Sequence, residues 1–119
     1  MLNRLLRALT ASRAMAPETD VPHTVLARAA GAAQIVDVRE PDEWAAGHIP
    51  GAHHIPLGDL GRRMGELKAD PPVITVCRSG RRSLTAAEAL LKSGFTDAAS
   101  LAGGMIAWTN AKQPVESSR

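Results

Sequence analysis

"VITVCRSGRRS" occupies Val73–Ser83, and its two halves obey different rules. Val73, Ile74, Thr75 and Val76 are β-branched, which suits a strand buried in a sheet. Cys77 follows, the only cysteine in the chain. Arg78, Gly80, Arg81 and Arg82 crowd the positions after it. From Arg81 a helix is expected: Leu84, Ala87, Leu90 and Leu91 make an apolar face, and Gly94 stops it. Strand, loop and helix in that order are the unit of a parallel α/β sheet. In such sheets, ligands bind beyond the carboxyl ends of the strands.

The charges in this stretch oppose local stability. A helix N-terminus carries unpaired N–H groups and partial positive charge, so Arg81 and Arg82 act against the helix dipole. No acidic residue lies between Pro71 and Ala87 to offset them. A sequence that keeps this conflict gains from an anion at the same place. Gly80 lets the backbone curl so that successive N–H groups point inward as an anion-binding nest. The same setting lowers the pKa of a thiol. Cys77 is therefore expected to be partly ionised, open to substrate, and nucleophilic toward a small anion drawn in by the arginines. Against this stands the ordinary role of a lone cysteine as a small buried apolar residue. A core cysteine, however, needs no glycine and three arginines beside it.

Outward from that loop the pattern stays α/β. Asp20 or Thr24 can cap a helix that has Pro22 near its start and Val25, Leu26 and Ala29 on one face, with Gly31 ending it. Gln34–Val38 reads as a short apolar strand. Pro41 can open a short helix with Asp42 and Glu43 in its first turn. Gly47, Pro50 and Gly51 force turns, and Ala52–Ile55 reads as a brief strand. Leu57, Leu60, Met64 and Leu67 are spaced helically, weakened by two glycines. A strand near Ala99–Leu101, a Gly103-Gly104 turn and a last helix with Ile106 and Trp108 complete the pattern. The tail from Gln113 reads as polar and frayed. Strands alternating with helices predict a mostly parallel central sheet flanked by helices on both faces. The expected body runs over residues 19–115, after an extension 1–18 and before a polar tail 116–119.

Composition limits the remaining classes. The 119 residues suit one domain, and the net charge is only +2. Phe95, Trp44 and Trp108 are the only aromatic residues. Stacking platforms for single-stranded nucleic acid are poorly supplied, and no general nucleic-acid footprint is visible. One cysteine makes no intramolecular disulfide, which fits a reducing, cytoplasmic setting. No apolar run approaches the roughly 18 residues that span a bilayer. The first 18 residues hold Arg4, Arg7 and Arg13, with Leu2, Leu5, Leu6 and Leu9 at helical spacing. They read as a short amphipathic or flexible extension. Weak membrane-surface contact, or a mitochondrial transit peptide, are the alternatives.

With these residues in view, the chain resembles the rhodanese sulfurtransferases. "CRSGRRS" (Cys77–Ser83) is similar to that family's active loop. "IVDVREPDEWAAGHIPGAHHIPLGDL" (Ile35–Leu60) is similar to its first signature, and "LAGGMIAW" (Leu101–Trp108) to its closing L-x-G-G-x-x-x-W. The three occur in the family's order and cover about Asp20 to Val115. The resemblance implies a single rhodanese-like domain with a persulfide-forming cysteine at Cys77. Arg78, Ser79, Gly80, Arg81, Arg82 and Ser83 would form the substrate-binding loop. Asp37 and Arg39 match the family's D-x-R, which braces the site or helps with charge; by itself Asp37, at a strand end, reads better as a buried structural hydrogen-bonder. The implied substrates are a small anionic sulfur donor, thiosulfate or a persulfide, and a cyanide or thiol acceptor. No metal or organic cofactor is needed. Physiological donor and acceptor and the oligomeric state stay open.

Three rivals remain. A persulfide relay or sulfur-carrier domain would use the same Cys77 chemistry with a protein partner. A non-catalytic module of this family usually lacks the cysteine. A cysteine phosphatase or arsenate reductase uses C-x5-R, but the sixth position after Cys77 is Ser83, and Arg82 comes one residue early. His48, His53 and His54 lie close in sequence. Structural zinc wants four ligands, often cysteines, and the one cysteine lies elsewhere, so the histidines are expected to serve the turn around Gly47–Ala52. Trp44 and Trp108 are expected to pack, and Arg62 and Arg63 to lie on a solvated helix face.

Overall fold

The computed structural model describes residues 16–118. The arginine-rich stretch with Leu2, Leu5, Leu6 and Leu9 lies outside the described residues. In chain order the elements are β1 (Glu18–Thr19), α1 (Val21–Ala29), β2 (Gln34–Asp37), α2 (Pro41–Ala46), β3 (His53–His54), α3 (Leu60–Arg63), β4 (Val73–Val76), α4 (Arg81–Lys92), β5 (Ala98–Leu101) and α5 (Gly104–Asn110). The sheet order is β1-β5-β4-β2-β3, and every pair is parallel. The expected parallel sheet flanked by helices is therefore the observed fold. No described helix is long and apolar enough to cross a membrane.

All four residues of β4 are buried, as a central parallel strand requires. Their alternation divides the core in two. Val73, Cys77, Val36 of β2 and Val38 just after it face a cluster completed by Ile55, Leu60, Ala86, Ala87 and Leu90. Ile74, Val76 and Ile35 face the opposite cluster, with Leu101, Met105 and Trp108, against which Val21 and Val25 of α1 pack. On α4, the buried residues are Ser83, Ala86, Ala87 and Leu90, one stripe at helical spacing.

Several local expectations need correction. Asp20 does cap α1, accepting from the His23 amide at 2.9 Å, but Leu26 is 69 % exposed and off the buried face. That face is Val21, Thr24 and Val25, because Thr24 bonds its hydroxyl back to Asp20 O at 2.8 Å and can be buried. The stretch Leu57–Leu67 is not one helix. Two 3₁₀ turns, Leu57–Asp59 and Met64–Glu66, flank the single turn of α3. The C-terminal tail is not frayed. His48 and Glu116 exchange backbone hydrogen bonds at 2.9 Å each, Ser118 N donates to Ala45 O at 3.0 Å, and the Trp108 indole donates to Pro114 O at 2.8 Å. At the other end the described fold reaches back to Ala16, which is buried, and Pro17 O accepts from Ser100 N at 2.9 Å.

The loop after β4 is clasped by the start of α5. Met105 N donates to Cys77 O at 2.8 Å, and Ile106 N to Arg78 O at 3.1 Å. Such close approach requires Gly104, whose φ is +51°. A Cβ there would collide with the Cys77 and Arg78 carbonyls. Gly104→Ala is therefore expected to destabilise the domain by about 3 kcal/mol or more. Gly65→Ala, where a Cβ would meet nothing within 4 Å, should stay within about 0.5 kcal/mol of the parent. Urea denaturation of both variants checks this; equal midpoints would remove the clasp.

Candidate active site

β2 and β4 lie side by side, but the chain leaves them in opposite directions. β2 leads to β3 on its outer side, and β4 leads to β5 on its own. The crevice beyond their carboxyl ends is thus a topological switch point, where such sheets bind ligands. Cys77 stands at the end of β4, and Asp37 and Arg39 at the end of β2. Two motifs far apart in sequence meet there because Asp37 pairs with Val76 in register.

The loop curls as its glycine suggests. Gly80 has φ +110° and forms the N-cap of α4. Its amide donates to Cys77 Sγ at 3.1 Å. The amides of Ser79 and Ser83 also bear on the sulfur. Of the expected inward N–H groups, the Gly80 amide points inward, and it meets the Cys77 sulfur itself. Ser83 Oγ lies 3.3 Å from Sγ. Burial, the largest single influence, pushes the thiol pKa up; hydrogen bonds from Ser83, Gly80 and Ser79 outweigh it, and the thiol lies below its ordinary value. These hydrogen bonds act more strongly than any arginine. Cys77 is also not open on the surface as expected, being 1 % exposed beneath the loop.

The three arginines divide. Arg82 forms a two-pronged pair with Glu43 of α2, at 2.6 and 2.9 Å. Glu43 therefore supplies the charge that the local sequence lacks. It is a site residue that sequence reading missed, since the partner lies 39 positions away. Its position in the first turn of a helix was visible; its reach to Arg82 was not. Arg78 and Arg81 are exposed and have no carboxylate partner among the described residues. Asp37 and Arg39 form a buried pair: Nε is 3.0 Å from Oδ1 and Nη2 is 2.7 Å from Oδ2. Arg39 Nη2 also donates to Gly47 O at 2.7 Å. This pair braces the turn after α2 against the end of β2, and Asp37 is spent on it.

The histidines hold that same turn. His48 Nδ1 donates to Trp44 O at 2.7 Å, and His54 Nε2 to Arg39 O at 2.8 Å. Trp44 stacks on both rings, with centroids 3.5 and 4.7 Å away. His53 turns aside to Glu66 at 2.9 Å. Arg62 and Arg63 reach Asp59 and Glu66 on the outer face of α3. A groove of about 400 Å³ runs beside the loop between Arg39, Arg78, Met105, Ile106 and Val115. A larger hollow of about 510 Å³, lined by Arg28, Gln34 and His53, lies at the amino ends of the strands, away from Cys77.

The Glu43–Arg82 pair makes stability depend on acid. Arg82 holds the Glu43 carboxyl at about 2, down from 4.5. A depressed carboxyl contributes stability above its unfolded pKa and loses it as pH falls through the folded one. Glu43 is 26 % and Arg82 36 % exposed, so screening keeps the pair to about 1 kcal/mol. Glu43→Gln, which keeps an oxygen for the Glu40 amide, is expected to be about 1 kcal/mol less stable at neutral pH. The gap should close between pH 4.5 and about 2 in denaturant titrations at stepped pH. A gap unchanged in acid would assign it to packing.

Comparison with known proteins places the chain in a family. The sequence profile of the rhodanese-like domain matches residues 22–111. The uncharacterized protein YqhL of Bacillus subtilis is 46 % identical over 76 residues, 64 % of this chain and 60 % of that protein. Thiosulfate sulfurtransferase GlpE of Pseudoalteromonas translucida is 40 % identical over 74 residues, 62 % of this chain and 70 % of that protein. The crystal structure of a thiosulfate sulfurtransferase from Pseudomonas aeruginosa superposes with a TM-score of 0.79 at 31 % identity, over 97 % of this chain and 22 % of that one. With a strand delivering one cysteine to the glycine turn of the loop, and with that match over most of its length, the chain belongs to the rhodanese-like family.

Proposed function

We propose that the protein is a sulfurtransferase that moves sulfane sulfur from an anionic donor such as thiosulfate to cyanide or a thiol, through a persulfide on Cys77. The observation that carries this reading is the single thiol at the strand end, held by the Gly80 amide at 3.1 Å and the Ser83 hydroxyl at 3.3 Å. The Cys77 thiolate attacks the outer sulfur of thiosulfate. An S–S bond forms to Cys77, the bond to the sulfonate sulfur breaks, and its electron pair leaves with sulfite. The acceptor then attacks the terminal sulfur, and Cys77 departs as thiolate. Thiocyanate or a new persulfide is released, and no redox partner is required. Arg78 and Arg81, free of carboxylates among the described residues, attract the donor dianion and the sulfite that leaves. The loop amides stabilise negative charge on sulfur in both halves of the cycle.

A phosphatase reading is disfavoured by the same loop. Ser83 stands where that chemistry needs arginine, and it is buried against Sγ. Arg82 is turned away to Glu43. A persulfide relay to a protein partner draws support from the groove beside Arg78. Ile106 and Val115, 44 % and 43 % exposed, give it apolar walls that a small acceptor would not need.

Incubation with thiosulfate is expected to add one sulfur to the intact protein, seen by mass spectrometry and removed by cyanide. Cys77→Ser should abolish both the added mass and steady-state transfer while leaving the melting curve nearly unchanged. Failure of the wild-type protein to gain that mass from any of several sulfane donors would end this reading.

A further inference from the structure

Behind the loop lies a buried hydroxyl that the transfer steps above do not use. Ser100 is on β5, paired in register with Thr75 of β4, and is 0 % exposed. The other residues of its strand are Ala98, Ala99 and Leu101. Ser100 Oγ lies 2.7 Å from Ser83 Oγ, which lies 3.3 Å from Cys77 Sγ. Beyond Ser100, the Gly80 carbonyl accepts from its hydroxyl at a long 3.4 Å. Sulfur, two hydroxyls and a carbonyl thus form one continuous chain.

Each hydroxyl has one proton to donate, and the carbonyl only accepts. The chain therefore has two consistent directions. With Cys77 as thiol, S–H donates to Ser83, Ser83 to Ser100, and Ser100 to Gly80 O. With Cys77 as thiolate, the sulfur can only accept. Ser83 then donates to sulfur, and Ser100 turns its proton from the long contact with Gly80 O to the short one with Ser83. No heavy atom changes place; the thiol proton leaves the sulfur, and the two hydroxyl protons rotate. Without a hydroxyl at position 100, Ser83 loses the donor behind it, and the chain no longer polarises toward the sulfur.

We infer that Ser100 is a positioning residue that acts through Ser83, holding the Ser83 hydroxyl dipole on the Cys77 thiolate. The inference rests on Cys77 being the reacting sulfur. It extends to the second half-reaction, because a thiol of lower pKa leaves faster when the acceptor takes the terminal sulfur.

The test reads the thiol directly. Cys77 is the only cysteine, so alkylation by iodoacetamide at stepped pH, followed by intact mass, gives its ionisation midpoint. Ser100→Ala is expected to raise the midpoint by about half a unit to one unit, the scale of one lost ordinary hydrogen bond. Ser100→Thr, which restores a hydroxyl, should return it to the parent value. Ser83→Ala should raise it at least as far, and Ser100→Ala should add nothing in the Ser83→Ala background. Should the alanine variant melt too early to assay, Ser100→Thr and Ser100→Val give a pair matched in shape. The Val midpoint should then lie above the Thr midpoint. An unchanged midpoint in Ser100→Ala, equal Thr and Val midpoints, or an undiminished shift in the Ser83→Ala background would each overturn the inference. Thiosulfate loading of the wild-type protein is a separate measurement, so the sulfur-transfer reading and this one can fail independently.

Discussion

The two hydrogen bonds from the Met105 and Ile106 amides to the Cys77 and Arg78 carbonyls hold the candidate site in shape. The loop after β4 must bend its amides toward one sulfur, which turns its carbonyls outward. Buried carbonyls need donors. The first turn of α5 has amides without helical partners, and it supplies two of them. That exchange satisfies both segments at once, and it works only because Gly104 carries no side chain between them. The closing L-A-G-G motif is thus part of the sulfur site, although none of its side chains touches the sulfur.

Charge around the loop is arranged by distance from the sulfur rather than by number of arginines. Nearest to it are neutral donors, the amides and the Ser83 hydroxyl. Arg82 is neutralised by Glu43, and Arg39 by Asp37. Arg78 and Arg81 remain uncompensated among the described residues, at the exposed rim. Neutral dipoles can stabilise a buried anion without bringing a second buried charge that itself needs a partner. Cations at the rim stay hydrated, and on the proposed function they would attract the anionic donor. On that proposal the cysteine is activated from within and approached through charge.

Much of this was legible along the chain. The β-branched run Val73–Val76, the glycine at 80 and the apolar stripe on α4 are local signals, and each produced the element expected. Asp20 and Pro41 opened their helices as capping rules require. The departures have two sources, a side chain's own local hydrogen bond and partners distant in sequence. Leu26 was assigned to a buried face because its hydrophobicity was counted; Thr24 took that face because a local hydrogen bond disposed of its hydroxyl. The tail looked frayed because it is polar, yet its backbone found partners at Ala45 and His48.

By itself, the sequence determined the sheet's central strand, the place of the thiol at its end, and the curl of the loop, since these depend on residue shape and on backbone preferences a few positions long. Tertiary structure decided which charges are free. Three arginines stand within five positions, and nothing near them in sequence distinguishes one from another. Glu43 does so from another helix, 39 residues away. Ser100 likewise reaches Ser83 only because β5 lies beside β4. Pairing energies fall with distance in space, and distance in space is set by the sheet order, which no local stretch of the chain contains.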